Sequence, residues 1–271
     1  MKIHFSSFWI PVLLLLLAFQ PGEKAPAISQ DPRLMSVAWF TFSAEKEACY
    51  LQTYRLAAMQ LEREMESNKA NPLQPIIITD LDETVLDNSA WSAKVLLEGK
   101  DYPDYWSDWE KAARAPAFPG AVEYFRKAQQ MGIEVFYISN RQEKNLGAAI
   151  LNLKNLGLPF ADSAHIFLKT NTSNKVERRN AISKNKQILM LLGDNLADFD
   201  GVWEEKINPE ERMKAVMDRK ELWGKKFIIF PNPVYGTWKD ALFGYRKVKF
   251  GQTADSVWQE ALTRYLNRYM F

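Results

Sequence analysis

The spacing of apolar positions divides the chain at Asn71-Pro72. Ahead of that point, Ala48, Leu51, Tyr54/Arg55, Ala58 and Leu61 recur at intervals of three and four, the period of a helix with one apolar face, over about residues 43–67. Ser43 suits the N-cap, with Lys46 where a capping box would carry Glu. Beyond Pro72 the apolar runs become short and rich in β-branched residues: Pro75-Ile76-Ile77-Ile78-Thr79, then 133–138, 166–168, 188–192 and 227–230. Such runs suit strands buried on both faces. Helical stretches separate them. One covers about 120–130, between Pro119 and Gly132; another about 142–156, stopped by Gly157; a third about 175–186. Strands alternating with helices predict an α/β sandwich around a parallel sheet with right-handed crossovers.

The N-terminus carries a different pattern. Lys2 and His4 precede an apolar run over residues 8–19, and Ala25-Pro26-Ala27 offers small residues for cleavage. That is the layout of an export signal. The run is shorter than the roughly 17–25 residues that cross a bilayer. The expectation is an exported protein, periplasmic or associated with the cell envelope. The alternative is an uncleaved N-terminus at a membrane surface, the one membrane contact the sequence allows. The expected division is a signal over 1–27, a linker over 28–42 and an N-terminal helical segment over 43–74 that contributes to a cap. A catalytic core over 75–250 follows, with a cap insert at about 90–117, and a C-terminal helix over 251–271.

Composition removes several functions. The 35 Lys and Arg against 33 Asp and Glu leave a net charge of +2 over 271 residues, so no large polyanion-binding face and no nucleic-acid partner is implied. Cys49 is the only Cys, which rules out an intramolecular disulfide. With Arg55 it has the Cys-x5-Arg spacing of cysteine phosphatases, but the residues between are bulky and none is Gly. A phosphate-cradling loop needs small residues, so Cys49 is expected to be a buried helix residue. Apart from His4, His165 is the only His, too few for a phosphohistidine mechanism or a His-rich zinc site. Aromatic residues make up 13% of the chain, and several of the nine Trp cluster near residues 91–109. Tyr102, Trp106 and Trp109 read as core or interface anchors.

The chemistry lies at the strand ends, where open parallel sheets bind ligands. The first strand runs into Asp80-Leu81-Asp82-Glu83-Thr84, the second ends at Ser139-Asn140-Arg141, and the run at 188–192 ends in Gly193-Asp194-Asn195, with Asp198 following. Lys175 opens a helix between them. Carboxylates gathered this way repel unless a cation neutralises them, and Mg²⁺ prefers carboxylate, water and phosphate oxygens. The set suits phosphoryl transfer. Asp80 would attack phosphorus and form an aspartyl-phosphate. Lys175 and Ser139 would bind equatorial oxygens. Asp82 would protonate the leaving oxygen and later activate water, which requires it to hold a proton for part of the cycle.

Asp80-Leu-Asp-Glu-Thr-Val-Leu-Asp-Asn-Ser89, Phe118-Pro-Gly-Ala-Val-Glu123, Gly193-Asp-Asn-Leu-Ala-Asp-Phe199 and Pro231-Asn-Pro-Val-Tyr-Gly236 resemble the haloacid dehalogenase (HAD) superfamily. More narrowly they resemble its bacterial class C acid phosphatases, above all the 5′-nucleotidase lipoprotein branch, over about residues 40–250. The resemblance implies a HAD-like Rossmannoid three-layer sandwich with a small, mainly helical cap. It implies Asp80 as nucleophile, Asp82 as acid/base and Lys175 as charge stabiliser. It implies Mg²⁺ held by Asp80, Asp194 and the backbone carbonyl of Asp82, with Asp198 holding metal-bound water. Ser139, Asn140, Arg141 and Arg178 become substrate contacts, and Tyr102, Trp106 and Tyr235 fall where the family contacts nucleotides. The chain departs from that branch in lacking the lipid-bearing Cys, and over residues 90–109 in length and sequence. The expected substrate is a small phosphomonoester, a nucleoside 5′-monophosphate above others. A broad-specificity phosphatase or phosphotransferase, a non-catalytic HAD-fold binding protein, and self-association into a homo-oligomer all stay open.

Overall fold

The apolar runs become five strands: β1 (Gln74–Thr79), β2 (Glu134–Gln142), β3 (Ile166–Lys169), β4 (Lys186–Gly193) and β5 (Phe227–Ile229). The structure, a computed structural model, describes residues 31–245 and 252–269, so the expected export signal lies outside the described residues. All pairings are parallel, in the order β3-β2-β1-β4-β5. The chain winds from central β1 to one edge, then returns to β4 on its other side. The crevice beyond the carboxyl ends of β1, β2 and β4 is therefore the switch point of the sheet.

Helices α1 (Leu34–Phe42) and α2 (Ala44–Ser67) precede β1; α3 (Ser89–Leu97), α4 (Trp106–Ala112) and α5 (Ala121–Gln130) lie between β1 and β2. Then come α6 (Leu146–Asn155) before β3, α7 (Val176–Ser183) before β4 and α8 (Pro209–Asp218) before β5; α9 (Thr237–Leu242) and α10 (Gln252–Tyr269) follow. Successive strand residues face opposite ways. Ile77, Val135, Tyr137 and Leu192 join one core with residues of α2, α5 and α6, whereas Ile76, Ile78, Phe136 and Leu191 join another with Ile182, Phe199, Trp203 and Ala215. Each fully buried Ile or Val contributes about 1.5–3 kcal/mol, and both faces of the sheet are closed this way. The three-layer α/β sandwich follows. Helices α3 and α4 form the small helical cap within the expected insert.

Four expectations change. Residues 34–42 of the expected linker are helix α1, apolar all round in Leu-Met-Ser-Val-Ala-Trp-Phe-Thr-Phe, which packs on α3 and buries Val37 and Phe40. The segment at 43–74 serves the core and not the cap, since α2 lies against α5, β4 and β5. Its buried stripe is Lys46, Tyr50, Tyr54, Ala57 and Leu61, so Ala48 and Leu51 face solvent and Cys49 is exposed rather than buried. The tyrosines win the inner face because their rings bury more surface than Ala or Cys, and their hydroxyls find acceptors there. Finally, β2 runs on through Ser139 to Gln142, which pairs with Lys169 of β3, so the helix expected from 142 starts later. Ser43 caps α2 as expected, accepting from Lys46 N at 3.2 Å. Among the described residues no helix is long and apolar enough to cross a membrane.

Candidate active site

Asp80 is the first residue beyond β1, and its N–H still donates to Leu192 O of β4 at 2.9 Å, so the sheet sets its backbone. Asp194 follows the last residue of β4. Gly193 is required by close approach: a Cβ there would collide with the Asp198 side chain. Asp198 ends a short 3₁₀ turn and accepts from Asn195 N at 3.0 Å. Carboxylate oxygens of Asp80, Asp194 and Asp198 lie within 4.8 Å of one another. The ammonium of Lys175, just ahead of α7, pairs with Asp80 and lies 2.6 Å from Asp198 Oδ1.

The charges are unbalanced. Burial pushes Asp80 well above the usual carboxylate range, Lys175 opposes this, and Asp198, Asp194 and Asp82 add to it. Burial, then Asp198, pushes Asp194 up to about 7, against a hydrogen bond from Asn232 and the charge of Lys175. Burial alone would lower Lys175, but Asp198 and Asp80 outweigh it and the ammonium is held charged. Three carboxylates facing one ammonium leave uncompensated negative charge in a buried place, and an all-oxygen donor set suits a hard divalent cation. The residues fit such an ion. Asp80 and Asp194 are the side chains that would hold it, with Asp198 already committed to Lys175 and Asn195.

Asp82 stands apart from this cluster. Its Oδ1 accepts from Arg141 Nη2 at 2.6 Å and Arg141 Nε at 2.9 Å, and from Asn88 Nδ2 at 2.9 Å; Ser139 Oγ donates to Oδ2 at 3.2 Å. Arg141, expected at the substrate, is thus spent largely on Asp82, and it also lies over the Trp106 ring at 5.7 Å. Planar forks of this kind hold a carboxylate in one orientation.

A cavity of about 550 Å³ opens above these groups. Asp80, Asp82, Lys175, Asp194 and Asp198 line it, as do Asn140, Arg141, Tyr102, Trp106 and Tyr235. Ser139 and Arg178 do not. Ser139 is fully buried, bonded to Asp82 and accepting from Arg141 N at 3.1 Å. Arg178 braces the end of β2, donating to Ser139 O at 2.8 Å, Asn140 Oδ1 at 2.7 Å and Ser173 O at 3.1 Å. Its guanidinium satisfies carbonyls that a strand leaving the sheet would otherwise bury unpaired. Trp91, Tyr102 and Trp106 form one cavity wall, with Trp91 edge-on to Trp106 at 4.8 Å between centroids. Val37 and Arg33 reach the cavity from the N-terminal side, and Arg33 Nη1 donates to Lys100 O at 2.8 Å, tying that side to the cap.

Three supporting residues received no role from sequence reasoning although they stand in its motifs. Thr84 Oγ1 donates to Asp194 Oδ1 at 3.3 Å, Asn232 Nδ2 donates to Asp194 Oδ2 at 2.8 Å, and Asn88 bonds both Asp82 and Glu83. The signal was their position within Asp-Glu-Thr, Asp-Asn-Ser and Pro-Asn-Pro. Trp109 donates to Asn88 Oδ1 at 2.7 Å, which makes it an anchor of this network and not a cavity wall.

The chain is similar to several known proteins. The model of HAD superfamily, subfamily IIIB (acid phosphatase), matches residues 24–238. The class C acid phosphatase of Bacillus anthracis is 37% identical, with a TM-score of 0.81 over 86% of this chain and 97% of that one. Its structure with tungstate bound gives 36% and 0.80 over the same shares. Vegetative storage proteins 1 and 2 of Arabidopsis thaliana are 29% and 28% identical over 131 residues, 45% of this chain. The chain spans about half the length of these curated relatives, 48% and 49%. The family match takes in all five strands, the loop of Asp80 and Asp82, Lys175 and Asp194, and on that extent the chain belongs to subfamily IIIB of the HAD superfamily, the acid phosphatases.

Proposed function

We propose that this chain is a Mg²⁺-dependent phosphomonoesterase acting outside the cytoplasm, with nucleoside 5′-monophosphates as its preferred substrates. One observation carries the reading: a carboxylate nucleophile at the end of the central strand, paired with Lys175 and within 4.8 Å of two further carboxylates. Asp80 attacks phosphorus while the ester oxygen takes a proton from Asp82 and leaves. Water then cleaves the acyl phosphate on Asp80, giving its proton to Asp82, so both carboxyls end as they began. Lys175 and the Asn140 amide face the cavity and offset charge on the non-bridging oxygens. Arg141 keeps Asp82 oriented between turnovers. Bound Mg²⁺ would supply positive charge that lets an anionic nucleophile meet an anionic ester. The tungstate complex of the Bacillus anthracis enzyme supports an oxyanion site, tungstate being a tetrahedral oxyanion like phosphate.

The cation reading predicts a pH signature. A carboxyl whose folded pKa is raised stabilises the fold below its ordinary value, 3.8 for Asp194, and loses that contribution as pH rises through about 7. On this account the metal-free protein loses melting temperature between about pH 4 and pH 7, and Mg²⁺ raises it far more at about pH 8 than at about pH 5, where protons compete. Equal Mg²⁺ increments at both values would remove Asp194 from the site.

Nucleotide preference rests on the aromatic wall. Tyr102 lines the cavity and is 53% exposed, so its removal leaves the fold intact. Base–aromatic stacking contributes about 1–3 kcal/mol, so Tyr102→Ala should lower kcat/KM for a nucleoside monophosphate about tenfold and leave glycerol phosphate within about twofold. Equal losses on both substrates would point to the broad-specificity reading. A second reading, a storage or binding protein, is favoured by the names of the two plant relatives. Asp80, Asp82, Lys175 and Asp194 all being present argues against it, and it would prevail if no phosphomonoester turned over with any divalent metal.

A further inference from the structure

Helix α2 precedes the strands, yet one stripe of it grips the loop that follows β1. Lys46, Tyr50 and Tyr54 recur every fourth residue and are all buried. Lys46 Nζ lies 2.9 Å from Asp87 Oδ2, Tyr54 Oη donates to Thr84 O at 2.8 Å, and Tyr50 Oη donates to Glu83 O. The loop needs such support. Glu83 sits at φ 56, the left-handed region that side chains with a Cβ avoid, and such conformations persist where the surroundings over-determine them. Its N–H donates to Leu86 O at 3.0 Å and its carboxyl accepts from Asn88 Nδ2 at 3.0 Å, which leaves its carbonyl to Tyr50.

Tyr50 does more than hold Glu83. Its Oη also lies 3.2 Å from Pro231 O, so one phenol joins the loop after β1 to the loop after β5. Asn232, the next residue, donates to Asp194 Oδ2, and Thr84, whose carbonyl Tyr54 binds, donates to Asp194 Oδ1. Both oxygens of Asp194 are therefore oriented by groups whose backbone the two α2 tyrosines fix. Packing does not account for the hydroxyls. The Tyr50 ring stacks on Phe118 at 3.7 Å between centroids and on Phe230 at 5.2 Å, contacts that Phe would keep.

We propose that Tyr50 and Tyr54 are positioning residues for the divalent-cation site, acting from α2 through loop carbonyls to aim both oxygens of Asp194. The proposal rests on Asp194 being a ligand of that cation. The test titrates Mg²⁺ into the full chain and follows the rise in Tm, which reads binding without turnover. Tyr50→Phe and Tyr54→Phe are each compared with Tyr124→Phe, whose buried hydroxyl meets Met190 Sδ at 3.3 Å. Either tyrosine variant should need about tenfold more Mg²⁺ for half the maximal rise, the low end of what outer partners of metal ligands contribute, while Tyr124→Phe titrates as the natural chain does. Natural Mg²⁺ midpoints in both Tyr50→Phe and Tyr54→Phe would overturn the proposal, whatever their melting temperatures. A natural chain whose Tm does not respond to any divalent cation would overturn the cation reading itself, a distinct result.

Discussion

Asp80→Asn should abolish turnover of phosphomonoesters while leaving the protein as stable as before, or more so. On the proposed function the variant keeps the shape of the side chain and loses the attacking carboxylate, so a fall in kcat of at least about 10³, or roughly 4 kcal/mol of transition-state stabilisation, is expected. Stability moves the other way for an electrostatic reason. Burial and three neighbouring carboxylates raise the pKa of Asp80 against the pull of Lys175, so its ionised form costs free energy near neutral pH. Asn removes that cost and leaves Lys175 paired with Asp198. Kinetics with p-nitrophenyl phosphate beside thermal melts in EDTA checks both halves. Residual turnover near the natural rate would show that another residue attacks phosphorus.

Lys175→Met is expected to cost both activity and stability. Its ammonium is the one cation bonded directly to Asp80 and Asp198 among the described residues. Removing one partner of a buried ion pair typically costs about 3–5 kcal/mol, because the other partner is left charged and unpaired. Loss of a group that stabilises transition-state charge lowers kcat by about 10²–10³. The stability deficit, read by urea unfolding in EDTA, should shrink as the pH falls and the stranded carboxylates take up protons. A deficit that stays constant with pH would mean that the lysine matters for packing and not for charge.

Much of this was legible because the chemistry sits at strand ends. Ile76-Ile77-Ile78 and Leu189-Met190-Leu191 have no polar alternation, so strands buried on both faces follow, and the Asp after each run falls at the rim of the sheet. Topology then gathers Asp80 and Asp194, whereas Lys175, one of several lysines in its stretch, was legible mainly through the family resemblance. The partners of Arg141 and Arg178 were not legible in the same way. A guanidinium beside a phosphate site reads as a ligand contact, and only the closed fold reveals that Asp82 and the carbonyls of Ser139 and Ser173 reach it first. On α2, Tyr54 and Leu61 fall on the inner face as their spacing predicts, whereas Tyr50 takes the place expected for Ala48 and Leu51, because its hydroxyl has an acceptor only once the loop after β1 lies against it. Helix α1 lacks an amphipathic rhythm, so the sequence around it resembled a connector.

The cap tether from Arg33 to Lys100 has a practical meaning. Asp80 and Asp194 stand at strand ends, whereas Trp91, Tyr102, Val37 and Arg33 belong to segments attached around that frame. Much of the cavity wall thus lies in stretches of chain apart from the carboxylate cluster. Exchanging residues 90–105 together with 31–42 as a matched pair would reshape that wall and leave Asp80, Lys175, Asp194, Asp198 and the Trp106 ring over Arg141 in place.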